Sequence, residues 1–368
     1  MRKCFLFFLV VSFLFFAVSA TAQTKKDEDE IVRIDTQLVD VPVAVTLANG
    51  NFAGTLKATN FVVYEDGKRQ TIEDFSAVAA PFEVALVLDT SGSARNELPL
   101  IKRAAKEFVA ALRVGDRVAI IAYGTKIDGN RAAAASELIC QLTSDRTALS
   151  ACVDRVRTSN GTPYYDSLEQ VVEKVFRDKP IDEFRGRRAL VALTDGVDST
   201  SGSDHESVKE LLSSIGGVSY FIQVDTQEFF ESELLGDCET AMRFSTAQIR
   251  RYYRRIAAKA GMEKASRFCE LGDFERLAVS KALYEIADAE MNELAKISGG
   301  KVFPVETISD ARGAFRSVAT EIGTKYTLSY SPTNDKRDGT QRKIKVEVVG
   351  LPKGSSVRFR EGYTAPTN

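Results

Sequence analysis

Residues 89–93 read Asp-Thr-Ser-Gly-Ser, directly after an apolar run at 82–88 and before a helical pattern that begins near residue 97. An aliphatic run followed by a turn and a periodic helix predicts a buried parallel strand, and such sheets bind ligands at the carboxyl ends of their strands. Asp89, Ser91 and Ser93 offer oxygen donors at alternate positions, which suits a hard divalent ion such as Mg²⁺. The same residue types also form ordinary turns and helix caps, so the five residues alone leave both readings open.

Two later segments place the same kinds of residue at the same kinds of position. Residues 160–166 read Asn-Gly-Thr-Pro-Tyr-Tyr-Asp and present the Thr162 hydroxyl at a helix start. Residues 191–196 read Val-Ala-Leu-Thr-Asp-Gly and end a second buried strand with the Asp195 carboxylate. Three oxygen-bearing loops at strand or helix ends favour one shared site over three isolated caps.

With these loops in this order, the chain resembles the von Willebrand factor A (VWA) family, whose metal-ion-dependent adhesion site (MIDAS) combines a D-x-S-x-S loop, a threonine loop and an aspartate loop. The resemblance spans roughly residues 82–324 and implies one bound Mg²⁺ or Mn²⁺. It implies that the hydroxyl residues are direct ligands and that the aspartates bind directly or through water. The acidic pair that follows this loop in integrin β chains is absent from residues 94–97, so no second adjacent ion is implied. The implied metal-site residues are Asp89, Ser91, Ser93, Thr162 and Asp195.

The first 22 residues have the pattern of a secretory signal peptide. Arg2 and Lys3 precede an apolar stretch at 5–17, and residues 20–22 read Ala-Thr-Ala. The apolar stretch is too short for a membrane span, and Cys4 precedes it instead of standing at a cleavage site, which argues against a lipid anchor. No later segment is long and apolar enough to span a membrane. We therefore expect a mature chain without a transmembrane segment, secreted or periplasmic.

Composition limits the chemistry that the mature chain can perform. The 49 Lys and Arg residues nearly balance the 51 Asp and Glu residues, which gives no reason to expect a nucleic-acid partner. Removal of Cys4 leaves four cysteines in an oxidising compartment, where disulfides are favoured over metal thiolates. Three connectivities are possible, with four free buried cysteines as the alternative. The favoured connectivity is the local one, Cys140–Cys152 and Cys238–Cys269.

The order of β and α patterns predicts an α/β fold with a second, all-β domain. After a flexible leader at 23–30, alternating apolar and polar residues with turn signals predict antiparallel strands through residue 78. Strand and helix patterns then alternate, which specifies a doubly wound, mostly parallel sheet of Rossmann-like type with helices on both faces. Strands are predicted near 82–88, 117–123, 137–142, 189–194, 218–224 and 301–303, and helices near 97–112, 146–156, 163–176, 204–215, 277–297 and 309–322.

Alternating β patterns return at 326–330, 342–349 and 355–360. In the α/β domain the first strand starts, and the last helix ends, at the pole opposite the metal site, so the two flanks can meet there. We predict one discontinuous β-sandwich from residues 31–78 and 325–364 around a VWA domain at 79–324, a layout that resembles an exported bacterial VWA-related family.

A helical insertion at 226–275 departs from the minimal family pattern. It follows the carboxyl end of a strand, so it is expected on the same face as the metal site, where it can shape access for a partner. Residues 250–255 read Arg-Arg-Tyr-Tyr-Arg-Arg. This patch suits anionic glycans or lipid surfaces, and a solvated helix face is the alternative.

Three classes of function follow from these features. The leading one is a non-enzymatic adhesion or protein-binding module whose ion accepts a carboxylate from an extracellular or envelope protein. A metal-dependent hydrolase is the second class, but common nucleotide-binding, zinc-protease and serine-hydrolase motifs are absent from the sequence. Adjacent Ser203, Asp204 and His205 are more simply explained by helix capping than by a catalytic triad. A structural assembly component with an unused metal site is the third class.

Overall fold

The structure is a computed structural model that describes residues 38–76, 81–129, 131–255 and 267–367, except for the side chains at 93–95, 128, 131, 182 and 255. The predicted signal peptide, the leader and the strand residues up to 37 lie outside the described residues. None of the helices in the described part is both long and apolar enough to cross a membrane.

Within the described residues the strands are, in chain order, β1 (Val39–Thr46), β2 (Phe61–Glu65), β3 (Lys68–Gln70), β4 (Asp74–Ser76), β5 (Glu83–Leu88), β6 (Arg117–Asp128), β7 (Arg131–Thr143), β8 (Arg188–Thr194), β9 (Val218–Val224), β10 (Lys301–Val305), β11 (Tyr326–Tyr330), β12 (Gln341–Val348), β13 (Ser356–Phe359) and β14 (Gly362–Thr364). The α-helices of the same ranges are α1 (Leu98–Ala111), α2 (Arg146–Arg155), α3 (Tyr164–Gln170), α4 (His205–Ser214), α5 (Gln227–Ser232), α6 (Thr246–Arg255), α7 (Asp273–Ser298) and α8 (Ala311–Ile322).

The α/β domain is built on a sheet with the strand order β10-β9-β8-β5-β6-β7. All neighbouring strands are parallel except the β6–β7 pair. Every residue of β5 and β8 is buried, as the continuous apolar runs predict for central parallel strands. Separate hydrophobic clusters cover the two faces of the sheet. The predicted doubly wound α/β fold is confirmed.

The antiparallel edge of this sheet is longer than the sequence indicates. Strands β6 and β7 continue past the predicted limits into a hairpin that pairs Gly124 with Ala135 and Ile127 with Ala132. Four consecutive alanines, at 132–135, give this part of β7 no alternation of apolar and polar residues, so pattern analysis predicts a strand only from residue 137.

Both flanks of the α/β domain contribute strands to a β-sandwich. One sheet has the order β13-β1-β11-β4 and the other β14-β12-β2-β3, so each combines strands from before and after the α/β domain. Strand β1 lies between two strands of the carboxyl-terminal flank, β11 and β13. The facing side chains of the two sheets form one buried core, which includes Val41, Val63, Tyr326, Leu328 and Val346. This confirms the predicted all-β sandwich; the exact domain limits stay a prediction.

Two arginines, the buried Arg360 and the half-buried Arg358, join the sandwich to the base of the α/β domain. Arg360, just after β13, donates to the backbone carbonyl oxygens of Ser213 in α4, Asp40 in β1 and Gly362. Arg358 pairs with Glu321 of α8 and donates to the carbonyl of Gly300. These contacts fix the pole of the α/β domain that lies away from the strands' carboxyl ends.

The insertion folds against the first half of α7. Leu234, Phe244, Ile249, Tyr253 and Phe268 form a buried cluster with α7 residues that include Val279 and Leu283. In the predicted basic-aromatic patch, Tyr253 is buried and Arg251 pairs with Glu290 of α7, so these two residues form part of the packing and not of a free surface. The sulfur atoms of Cys140–Cys152 and Cys238–Cys269 are paired, with Cα atoms 5.9 and 5.3 Å apart, which confirms the local connectivity.

Candidate metal centre

The D-x-S-x-S loop begins where β5 leaves the sheet. The Asp89 amide still donates to the Leu193 carbonyl of β8 at 2.9 Å. Its carboxylate then folds back on its own loop, because Oδ1 accepts from the Ser91 amide at 3.0 Å and Oδ2 accepts from the Thr194 hydroxyl at 2.8 Å. The Thr90 hydroxyl donates to the Tyr123 carbonyl at 2.8 Å. These bonds hold the loop across the ends of β5 and β8 and against the middle of β6.

The aspartate loop follows β8, the neighbour of β5. Asp195 Oδ1 accepts from the Val197 amide at 2.9 Å, and Oδ2 accepts from the Thr226 hydroxyl at 2.6 Å. Gly196 has a φ of 75°, and a Cβ atom there would lie 2.8 Å from the Met291 methyl group of α7. Glycine therefore lets the chain turn sharply after Asp195 while α7 packs directly over the turn.

The threonine loop is joined to both of the other loops by hydrogen bonds. The Ser159 amide donates to the Thr90 carbonyl at 2.7 Å, on the side of the D-x-S-x-S loop. On the other side, Thr162 exchanges two bonds with Ser199: its amide donates to the serine hydroxyl at 2.8 Å, and its carbonyl accepts from the serine amide at 3.0 Å. Thr162 itself is buried. The three loops thus form one connected layer above the sheet.

A small cavity of about 30 Å³ opens within this layer. Its lining contains Asp89, Ser91 and Asp195, so three of the five predicted residues are brought together. Thr162 is held in the adjoining loop and does not line this cavity, and the side chain of Ser93 lies outside the described part of the structure. The remaining lining residues are Glu97, Leu193, Thr194, Val224, Thr226 and Ile308.

Both aspartates of the cavity are held where ionisation is unfavourable. Burial raises the pKa of Asp89, and burial together with the nearby charge of Asp89 raises the pKa of Asp195 to about 7. No described basic side chain is among the charges that act on either carboxylate. Two like charges in a small cavity without a counter-charge are unfavourable, and a divalent cation would remove that cost.

The residues present therefore fit a hard divalent ion. The cavity offers carboxylate and hydroxyl oxygens from Asp89, Ser91 and Asp195, and its charge calls for a cation. Among the described residues, no three His, Cys, Asp or Glu side chains form a group that could hold a metal ion. The donor set consequently depends on hydroxyl oxygens in addition to the two carboxylates.

Two site residues have no signature in the sequence. Thr194 and Thr226 donate to the two aspartates and line the cavity with them. Thr194 precedes Asp195 directly, and Thr226 follows the end of β9, the next strand of the sheet. The rule that ligands bind at the carboxyl ends of adjacent strands points to this location, but a single threonine there carries no motif.

Residues 84–197 match the family model of the von Willebrand factor type A domain. The chain carries a VWA domain. The matched segment runs from the second residue of β5 to two residues beyond Asp195 and so contains all three loops of the site. No curated protein matches the chain by sequence.

Several solved structures are similar to this VWA protein. The protein BatB from Bacteroides thetaiotaomicron is 16% identical over 66% of this chain and 98% of its own, with a TM-score of 0.40. A von Willebrand factor type A protein from Catenulispora acidiphila is 12% identical over 91% of this chain and 75% of its own, with a TM-score of 0.42. Proximal thread matrix protein 1 from the mussel byssus, solved with a zinc-occupied MIDAS motif, is 16% identical over 69% of this chain and 48% of its own, with a TM-score of 0.39. All three TM-scores lie below 0.5.

Proposed function

We propose that this protein is an exported, non-enzymatic binding module that holds one divalent ion, Mg²⁺ or Mn²⁺, at the top of its VWA sheet and binds an acidic side chain of a protein partner there. The observation that carries the proposal is the pair of carboxylates, the buried Asp89 and the half-buried Asp195, which line one small cavity without a described basic partner. Such a pair is costly unless a cation neutralises it.

The roles of the five residues follow from their chemistry. Asp89 and Asp195 supply two negative charges, which nearly neutralise a divalent ion. Ser91, Ser93 and Thr162 supply neutral oxygens, so the site gains ligands without cancelling the remaining positive character. A bound ion would supply an electrophilic centre that a partner's Asp or Glu carboxylate can approach.

The geometry around His205 supports a binding function over hydrolysis by a serine triad. The Ser203 hydroxyl donates to Glu169, and the Asp204 carboxylate accepts from the amide and hydroxyl of Ser207 at the start of α4. His205 Nδ1 lies 3.3 Å from Glu206 Oε1. The three residues therefore have separate partners and do not form a nucleophile, base and orienting acid.

Export is a further part of the proposal. Two disulfides are typical of oxidising compartments, which agrees with a secreted or periplasmic location for the mature chain. The partner is then expected among extracellular or envelope proteins.

Metal titration tests the proposed site. We expect the wild type to bind Mg²⁺ and Mn²⁺, Ser91→Ala to bind them more weakly, and Asp89→Ala to lose binding at physiological concentrations because it removes charge and not only a neutral donor. Isothermal titration calorimetry measures this order. Asp288→Ala, an exposed change on α7, is the matched control, and equal affinities in all four proteins would mean that these residues are only loop caps.

A pull-down from the native cell envelope then tests the binding function. The wild type should retain a partner in Mg²⁺ and release it in EDTA, while Asp89→Ala should retain none under either condition. A partner that binds the variant and the wild type equally would contradict a role for the ion in the interface.

A further inference from the structure

A chain of two hydroxyl groups leads from Asp195, through Thr226 at the start of the insertion, to Tyr284 of α7. The Thr226 hydroxyl donates to Asp195 Oδ2 at 2.6 Å. The same Thr226 oxygen lies 2.8 Å from the hydroxyl oxygen of Tyr284, in the first half of α7. When Asp195 is ionised, the single hydrogen of the Thr226 hydroxyl is donated to it, so the Tyr284 hydroxyl must be the donor in the second bond. The direction is fixed: Tyr284 to Thr226 to Asp195.

The outer end of this chain is held by the insertion. The Tyr284 ring packs against the buried cluster of the insertion, with its centroid 6.5 Å from that of Phe230. Phe230 in turn lies 5.4 Å from Phe244, the next aromatic ring of the cluster. Thr226 stands immediately before α5, the first helix of the insertion. Both hydroxyl groups are thus positioned by the segment that departs from the minimal family pattern.

Two other residues donate hydrogen bonds to the Asp195 carboxylate, one to each oxygen. The Val197 amide fixes Oδ1 and belongs to the aspartate loop itself, whereas Thr226 fixes Oδ2 and belongs to another strand end. Removal of the Thr226 hydroxyl leaves Oδ2 without that donor and leaves the orientation of the carboxylate less firmly held. Hydrogen bonds of this kind to a metal-binding carboxylate set its orientation and basicity.

We propose that Thr226 and Tyr284 are positioning residues that hold the Asp195 carboxylate toward the metal and so make metal affinity depend on the packing of the insertion. The proposal rests on the proposed function, since it concerns the same ion. It assigns the insertion a role in building the metal site.

Paired conservative substitutions separate this role from a general effect on stability. Thr226→Val and Tyr284→Phe each remove one hydroxyl and keep the size of the side chain, and Thr226→Ser keeps the hydroxyl. Tyr252→Phe, in the same insertion, is the matched control for loss of a tyrosine hydroxyl. Each protein is titrated with Mn²⁺ by calorimetry, its thermal unfolding is followed in EDTA, and hydrogen exchange of the Val197 amide is measured in EDTA.

We expect Thr226→Val and Tyr284→Phe to raise the Kd for Mn²⁺ about 10- to 100-fold, the range found when such supporting groups are removed. Thr226→Ser and Tyr252→Phe should stay within about threefold of the wild type. In EDTA the Val197 amide should exchange about fivefold faster in the first two variants, because its acceptor is less firmly held. The unfolding temperatures in EDTA should be similar for all of these proteins. If the hydroxyl groups were only structural, Thr226→Val and Tyr284→Phe would instead unfold at a lower temperature than the wild type.

The result that would overturn the proposed positioning role of Thr226 and Tyr284 is wild-type affinity for Mn²⁺ in both Thr226→Val and Tyr284→Phe. If the wild type itself binds neither Mn²⁺ nor Mg²⁺, the proposed function fails. Hydrogen exchange of the Val197 amide then decides by itself whether Thr226 and Tyr284 position Asp195. Faster exchange of the Val197 amide in both variants would then uphold the positioning of Asp195, and unchanged exchange would refute it.

Discussion

Replacement of Asp195 by asparagine should stabilise the metal-free protein at neutral pH, although it removes a residue of the proposed metal site. Asparagine keeps the shape of the side chain and removes the charge that shares a cavity with Asp89. Its oxygen can still accept from the Val197 amide. Its NH₂ group can donate to Thr226, whose hydroxyl hydrogen is then free to turn toward Tyr284, so the hydrogen-bond chain is reversed and not broken.

The size and the pH window of the effect follow from the pKa of Asp195. A rise from 3.8 to about 7 means that the folded protein holds the proton more tightly than the unfolded chain does. The stability contributed by this group is therefore complete below about pH 4 and is lost as the pH rises through about 7. At about 1.4 kcal/mol per pKa unit the loss is at most about 4 kcal/mol, and relaxation of the loops and entry of water reduce the expected value to about 2 kcal/mol.

Urea denaturation in EDTA at pH 5.0 and pH 8.5 measures this difference. Asp195→Asn should exceed the free energy of unfolding of the wild type by about 0.8 kcal/mol at pH 5.0, where the loss has begun, and by about 2 kcal/mol at pH 8.5. In buffer with free Mn²⁺ at 100 times its Kd in place of EDTA, the wild type should be stabilised by about 2.7 kcal/mol and the variant should be unchanged. Glu228→Gln, an exposed change on α5, is the control. If the variant is less stable than the wild type at pH 8.5, or if the two free energies of unfolding differ equally at both pH values, then repulsion between Asp89 and Asp195 does not destabilise the metal-free protein.

Three further predictions concern the parts of the structure that support the site. Replacing both Cys238 and Cys269 by alanine should lower the free energy of unfolding by about 2–4 kcal/mol, since their disulfide closes a loop within the insertion; peptide mapping without reduction that finds four free thiols would contradict both disulfides. Arg360→Met should cost about 2–4 kcal/mol, because it removes a buried donor to three backbone carbonyls; a loss below about 0.5 kcal/mol in urea denaturation would show that water replaces these bonds. Gly196→Ala should cost about 1–3 kcal/mol and weaken metal binding, because of its positive φ and the Met291 methyl group above it; in a Met291→Ala background the same change should cost less but still destabilise, and a cost of zero there would assign the whole effect to the steric contact.

Most of the VWA sheet could be predicted from the sequence because its central strands are buried on both faces. The run at 82–88 has no polar interruption apart from Glu83, and the structure places β5 there within one residue. The start of α7 was harder to predict, since its first turn is polar. Helix α7 begins at Asp273 and not near 277, and Arg276 is buried because it donates to the carbonyls of Leu234 and Gly236 in the insertion. Such a contact depends on tertiary structure and leaves no trace in local periodicity.

The residues of the candidate site also differ in whether the sequence alone could predict them. Asp89, Ser91 and Asp195 could be predicted because motif residues at adjacent strand ends must come together when the strands are parallel. Thr226 could not, because its importance comes from one hydrogen bond across the sheet. The assignment of Thr162 as a ligand stays a prediction, since the structure buries it in the neighbouring loop and outside the cavity.

The pairing of β1 has a consequence for how a nascent chain acquires this structure. Strand β1 comes early in the chain, but both of its neighbours, β11 and β13, follow only after the whole VWA domain, with about 300 residues between β1 and β13. Until both of them have followed, this strand has a row of valines without a pairing partner. The VWA sheet, whose strands all lie between residues 83 and 305, can form during that interval. The sandwich is therefore the last part to close, and the time before closure is when the chain is most exposed to aggregation through an open strand edge.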